Sequence, residues 1–381
     1  MEFDFTALLV GLPLAFALGW LASRLDLRQM RVENRQSPKA YFRGLNFLLN
    51  EQQDQAIDAF IEAVQNDPDT SELHFALGNL FRRRGEYDRA VRVHEHLLAR
   101  GDLTQVERDR AQHALALDFL KAGLLDRAEA ALSKLEGTAH EQDARLALLA
   151  IYERSRDWGR ASDVAARLES SNHGSFATRQ AHYLCERAQA EVAAGQPQAA
   201  LQMLERAREL APQSPRPLIE QAQLLAQQGQ VPAALQTLLR LREAAPRALP
   251  LAAGLMARLA EQSGERARVQ QILIEAQQQQ PSIDLVQAIV QLEPDPQQAR
   301  QWFLRHLKTE PSLVAAGRWL SGEALMRDEQ AQGAARASER ACGPLMRYRC
   351  AACGFEAKQH FWHCPGCQAW DSYPARRIEE L

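Results

Sequence analysis

Small, apolar and aromatic positions recur along the middle of the chain with a period of 34. Gly44-Leu-Asn-Phe47 aligns with Gly78-Asn-Leu-Phe81, Ala56 with Ala90, and Phe60 with His94. Each period reads as two helices joined by a turn. The segments Gly85-Glu-Tyr-Asp-Arg-Ala90, Gly123-Leu-Leu-Asp-Arg-Ala128, Asp157-Trp-Gly-Arg-Ala161, Gly195-Gln-Pro-Gln-Ala-Ala200 and Gly229-Gln-Val-Pro-Ala-Ala234 each feed a second helix. Pro212 and Pro246, again 34 apart, close their units. The spacing drifts between the third and fifth units, which predicts longer loops there. Beyond Pro246 the pattern weakens: residues 249–282 hold one degenerate unit, a seventh after six clear ones. Ile283 to Leu292 and Ala299 to Leu307 keep helical periodicity, and are expected to continue the stack irregularly and cap it.

In the first unit Gly44, Phe47, Ala56, Phe60, Ala63 and Pro68 occupy the small, aromatic and helix-ending positions of a tetratricopeptide repeat. The logic is packing. The first helix presents glycine where the second crosses closely, the alanine of the second fills the same contact, and larger side chains plug the gaps. Such an array is a quasi-linear stack that binds extended peptides or protein surfaces and performs no chemistry itself. Its histidines, His74, His94, His96, His113 and His182, read as packing or solvent-exposed groups. None forms an H-x-x-x-H pair beside a carboxylate, and His94 and His96 point to different helix faces.

From Phe5 to Ser23 the pattern changes to an uncharged, apolar run of a length that just spans a bilayer. Glu2 and Asp4 precede it, whereas Arg24, Arg28 and Arg31 follow. A cleaved signal peptide carries its basic residues first. The reverse order predicts a single-pass anchor with all that follows in the cytoplasm. Trp20 stands where an interfacial anchor would, and Pro13 is tolerated within a lipid-buried helix.

The last forty residues carry the chemistry. Cys350-x-x-Cys353 and Cys364-x-x-Cys367 are separated by ten residues. Two such knuckles can close a tetrahedral thiolate shell around one metal ion. Tyr348, Phe355, Trp362 and Trp370 supply the sizeable apolar groups in a segment too small to fold on burial alone, so metal binding must add stability. Spacing leaves iron and zinc both open. A fully ligated ion has no position for substrate, which argues against metal hydrolysis. His360 and His363 are read as neighbours of the shell or surface groups, and Cys342 as a spare thiol.

With 46 % hydrophobic and 24 % charged residues the chain is ordinary for a folded protein. A formal net charge of -3 argues against nucleic-acid binding, and the head balances Arg347, Arg349, Lys358, Arg376 and Arg377 against Glu356, Asp371, Glu379 and Glu380. Six cysteines, four of them in the knuckles, exclude a secreted disulfide scaffold.

The anchor, the stretch Tyr41-Phe-Arg-Gly-Leu-Asn-Phe-Leu-Leu-Asn-Glu-Gln-Gln-Asp54, the repeats and the ending Tyr348-Arg-Cys350 … Trp362-His-Cys-Pro-Gly-Cys-Gln-Ala-Trp370 together resemble the lipopolysaccharide assembly protein B family of Gram-negative bacteria. The resemblance runs through the whole chain in order. It implies an all-α tetratricopeptide-repeat superhelix with an N-terminal transmembrane helix and a small rubredoxin-like or zinc-ribbon metal domain. The expected layout is an anchor at 1–23, a juxtamembrane linker at 24–36, repeats at 37–282, an irregular helical cap at 283–342 and the metal domain at 343–381. The resemblance places the four ligands on Cys350, Cys353, Cys364 and Cys367. It implies an inner-membrane adaptor, not an enzyme, that promotes turnover of the lipid A deacetylase LpxC by the membrane ATP-dependent protease FtsH and organises other lipopolysaccharide-synthesis proteins. The sequence allows a homodimer without specifying one. A rubredoxin-like electron carrier on a repeat scaffold is the competing reading. The head is expected to pack on the array and complete its binding face.

Overall fold

The computed structural model describes Phe16, Trp20 and residues 40–67, 69–170, 175–321 and 329–381. The expected anchor and linker fall outside these residues, apart from Phe16 and Trp20. Among the described residues no helix is long and apolar enough to cross a membrane.

The fold is the all-α tetratricopeptide kind, with a small metal-site region after the last helix. Six helix pairs are formed among the described residues: α1 (40–49) with α2 (Gln53–Asn66), α3 (Ser71–Arg84) with α4 (Tyr87–Ala99), α5 (Gln105–Lys121) with α6 (Leu125–Ser133), α9 (Ala177–Ala193) with α10 (Pro197–Leu210), α11 (Pro215–Gln227) with α12 (Val231–Ala244), and α13 (Leu249–Ser263) with α14 (Arg266–Gln279); α7 (Glu141–Ser155) and α8 (Trp158–Ser170) follow one another between the third and fourth of these. Four further helices follow: α15 (Ile283–Leu292), α16 (Pro296–Leu307), α17 (Leu313–Leu320) and α18 (Glu329–Cys342). The degenerate seventh unit is therefore a true helix pair.

The repeat positions do what their sizes require. A Cβ on Gly44 would stand 2.8 Å from the Phe60 ring, and one on Gly78 would stand 2.5 Å from the His94 ring. The aromatic of each second helix thus lies directly on the glycine of the first. The alanines aligned from sequence, Ala56, Ala90, Ala128, Ala161, Ala200 and Ala234, are all at 0 % exposure. The turn between paired helices holds a residue at positive φ. It is Gly85, Gly123, Gly195, Gly229 or Gly264 in five pairs and Glu51 (φ 60°) in the first; Arg156 (φ 57°) holds the same conformation in the turn between α7 and α8. Proline occupies the first turn of α10 to α13 and α16, where its missing N–H costs no helical bond.

The chain divides within α7 into two units, residues 1–151 and 152–381. In the first, Ile57, Phe60, Leu73, Leu77, Leu80 and Phe81 form one core, and Phe75, Leu97, Leu103, Ala111 and Ala114 a second. Buried among them, Asp118 takes hydrogen bonds from Arg82 Nη1 at 2.8 Å and His94 Nδ1 at 2.5 Å. In the second unit the largest core runs from Leu218 in α11 to Leu292 in α15. A further cluster joins α15, α16 and α17 through Val286, Phe303 and Val314. Cys342 lies beside it, with Sγ 3.4 Å from the Leu313 carbonyl oxygen.

Candidate metal centre

Two short strands open the C-terminal head. β1 (Tyr348–Arg349) and β2 (Glu356–Ala357) pair antiparallel, Tyr348 facing Ala357. The chain between them is the first knuckle, and the second follows as a near-copy. In the first, Gly354 N–H donates to the Cys350 carbonyl and Cys350 N–H to that of Phe355, both at 2.9 Å. In the second, Gln368 N–H donates to the Cys364 carbonyl at 2.9 Å and Cys364 N–H to that of Ala369 at 3.0 Å. Gly354 (φ 78°) and Gln368 (φ 61°) hold the same left-handed position. The tight turn of the second knuckle thus falls on Gln368, not on Gly366. Gly366 instead permits close approach: a Cβ there would meet Phe355 at 3.4 Å and Cys353 Sγ at 3.5 Å.

The four cysteines come together as expected, and among the described residues theirs is the one group of three or more side chains placed to hold a metal ion. All four sulfurs lie within 4.8 Å of one another, with Cys350–Cys367 at 3.8 Å and Cys353–Cys364 at 3.7 Å. Tetrahedral bonds of about 2.3 Å put sulfurs about 3.8 Å apart. The donor set is therefore compatible with one ion held by four thiolates. Acidity points the same way. At Cys350 burial opposes ionisation, but the Ser372 hydroxyl and the N–H groups of Cys353 and Ala352 outweigh it and pull the thiol down to about 6. At Cys353 the Phe355 N–H favours the thiolate, but desolvation and the neighbouring thiols push it up to about 12. Four thiols this close cannot all ionise until a cation supplies the opposing charge. Cys350 and Cys364 are buried; Cys353 and Cys367 are exposed.

Neither nearby histidine joins the shell. His360 Nε2 lies 3.0 Å from the Tyr373 carbonyl oxygen, and the His363 ring stacks on Trp370 at 4.2 Å. Cys185 is buried in α9, where desolvation pushes its thiol far above the ordinary range.

The head is seated on helices of its own unit. The Trp370 ring stacks on His182 of α9 at 4.8 Å and meets Trp158 and Tyr183 edge-on, while its Nε1–H donates to Glu153 Oε1 at 3.1 Å. Asp371, at φ 50°, places Oδ2 2.8 Å from His182 Nε2. On the other ring edge, His182 Nδ1 lies 3.4 Å from Arg216 Nη1. Arginine can only donate, so Nδ1 accepts and the proton sits on Nε2, toward Asp371. Arg216, 1 % exposed, also donates to Glu220 at 2.6 Å and Glu186 at 2.8 Å. Leu251 of α13 packs against Tyr348, Cys350, Cys364 and Tyr373.

At the far edge Arg377 grips Asp284 of α15 with two bonds of 2.7 and 2.9 Å, its guanidinium 4.0 Å above Tyr348. Glu380 accepts from Ile283 N–H at 2.5 Å, and Glu379 from the Ser312 hydroxyl and Val314 N–H at 2.7 and 3.1 Å. The head thus caps the N-termini of α15 and α17 with its own carboxylates. None of these partners was identifiable from spacing, because each pair is far apart in sequence.

Comparison with known proteins agrees with this architecture. Residues 348–373 match the family described as rubredoxin metal binding domain, and residues 73–106 and 191–259 match tetratricopeptide repeat families. Lipopolysaccharide assembly protein B of Escherichia coli K12 is 30 % identical over 388 aligned residues, covering 97 % of this chain and 98 % of that protein. The Haemophilus influenzae protein of the same name is 28 % identical, covering 95 % and 96 %. Among solved structures, a tetratricopeptide repeat protein from Parabacteroides merdae is 14 % identical with a TM-score of 0.35, covering 68 % of this chain and 99 % of its own. With its knuckles, its repeats and full-length similarity in hand, the chain belongs to the lipopolysaccharide assembly protein B family.

Proposed function

We propose that this chain is a membrane-anchored adaptor in lipopolysaccharide assembly with no reaction of its own. In this reading residues 1–23 hold it in the inner membrane and residues 24–36 lead into the cytoplasm. Repeats at 37–282 and the helical cap at 283–342 bind partners, and the head at 343–381 keeps one ion on Cys350, Cys353, Cys364 and Cys367. The partners are the membrane protease FtsH, the deacetylase LpxC and other lipopolysaccharide-synthesis proteins. Confinement to the membrane raises the effective concentration of each partner for the others. The observation that carries the reading is the seat of the head. Trp370 and Asp371 on α9, Leu251 on α13 and Arg377 on α15 fasten the metal region to the array, so metal and repeats present one surface.

The test is co-purification of protease and deacetylase from membranes with the wild-type chain and with Cys350→Ser. Loss of both partners from a variant that keeps its helical content supports a composite surface. Unchanged recovery reduces the metal site to a local staple. The exposure of Cys353 and Cys367 favours the electron-carrier alternative, since outward sulfurs shorten the path to a redox partner. A reversible one-electron couple in the purified protein supports that alternative, and a colourless zinc protein removes it.

A further inference from the structure

The buried network behind the head leads to a groove that the metal site leaves unused. On α9, His182, Glu186 and Gln189 follow one another along one face, and on α11 Arg216, Glu220, Gln223 and Gln227 do the same. The N-terminal ends of both rows are occupied by the head and by Arg216. Further along, Gln189, Val192, Leu204, Glu220, Gln223 and Gln227 line a cavity of about 140 Å³ between the two helices.

Two features of this cavity point to a ligand. Glu220 has its side chain 90 % buried, with Oε1 taken by Arg216 Nε at 2.6 Å and Gln189 Nε2 at 3.0 Å. Its Oε2 is buried with no hydrogen-bond partner. An unpaired carboxylate oxygen is costly to bury, and it is satisfied by a donor, best a charged one. The local charge asks for the same thing. Glu186 and Glu220 share the guanidinium of Arg216, so two carboxylates face one cation and the three groups carry excess negative charge.

Size selects the class of ligand. Pockets for whole small molecules run from about 300 Å³ upward, so this one has room for a single side chain. Three glutamine amides around it can each donate to and accept from a peptide main chain. Val192, 37 % exposed, and Leu204 offer an apolar wall.

We propose that the cavity between α9 and α11 is a peptide site that takes a lysine or arginine side chain on Glu220, with an adjacent aliphatic residue on Val192 and Leu204. Gln189, Gln223 and Gln227 hold the main chain of an extended segment. The inference deepens the adaptor reading, on which its cellular meaning rests, by naming the chemistry of one partner segment.

The test is selection of a displayed library of random decapeptides on the full chain in detergent micelles. Enriched sequences should carry a basic residue beside an aliphatic one. Glu220→Gln should weaken the best peptide about tenfold or more, as expected for losing one charged hydrogen bond. Val192→Arg, a change at the partly exposed rim, should abolish binding while leaving the melting temperature unchanged. Val192→Arg keeps the test decisive if Glu220→Gln folds poorly. An unenriched library, enrichment without basic residues, or binding indifferent to both variants would overturn the site. Because the selection needs neither protease nor deacetylase, a site that binds peptides while deacetylase turnover is unaffected by this protein removes only the adaptor reading.

Discussion

His182 Nε2 lies 2.8 Å from Asp371 Oδ2, across 189 positions of sequence. That contact places the second knuckle against α9, since Asp371 follows Gln368 and Trp370 out of the Cys364–Cys367 turn. The seat of the head on α9 therefore rests on residues that leave the second knuckle directly.

Removal of the ion should loosen the head without melting the helices. The head has little apolar interior of its own, so ligand loss removes the term that folds it. Treatment with a strong chelator, or Cys364→Ser, should red-shift the emission of Trp158, Trp362 and Trp370 and open residues 348–381 to protease. Far-ultraviolet circular dichroism should change little. A head that stays protease-resistant without metal would contradict this.

Trp370→Ala should separate the seat from the metal. Its ring contacts His182, Trp158, Tyr183 and His363. Truncation should cost about 2–4 kcal/mol in the denaturation of this unit. Metal content should remain one ion per chain, because the four sulfurs are untouched. Loss of metal together with the ring would show that the seat is needed to form the shell.

In the first unit, Asp118→Ala should be severe. The side chains of Asp118 and His94 are both 0 % exposed, and Arg82 donates to the same carboxylate. Removing the carboxylate leaves a cation and a ring nitrogen without their partner, at about 3–5 kcal/mol. A urea midpoint within error of wild type would show that the network contributes nothing.

Acid should weaken the array before its carboxylates titrate. His74, His113 and His306 are each held below the ordinary histidine value, chiefly by burial. The unfolded chain takes up these protons near pH 6.5, about the ordinary value, and the folded chain only at lower pH. Between the two, the unfolded state binds more protons. Stability is thus complete above pH 6.5 and falls as pH drops through the lowered values. The carboxylates held low by hydrogen bonds, such as Glu107 with Ser71 and Thr104, act in a lower window. The urea midpoint should fall from pH 7.5 to pH 5.5; a flat or rising midpoint would contradict the burial argument.

The repeat contacts could be read from sequence because they are local and periodic. Gly44 with Phe60 and Gly78 with His94 occupy equivalent positions, and the aligned alanines are the ones that vanish from the surface. The grouping of the four cysteines was readable for the same reason, since C-x-x-C turns are short. Left-handed turns were readable only where glycine holds them. Glu51, Arg156 and Gln368 adopt the same conformation without the residue that signals it. The seat was not readable: a histidine in α9 and an aspartate 189 residues later share no spacing rule. His182 looked like any packed repeat histidine, and its neighbours became apparent only once the head was folded back onto the helices.

In the proposed role the chain regulates turnover of an enzyme of lipopolysaccharide synthesis. The direct measurement is the half-life of the lipid A deacetylase after depletion of this protein, with the membrane protease present throughout. Marked stabilisation is expected, reversed by the wild-type chain and not by Cys350→Ser. An unchanged half-life would contradict it.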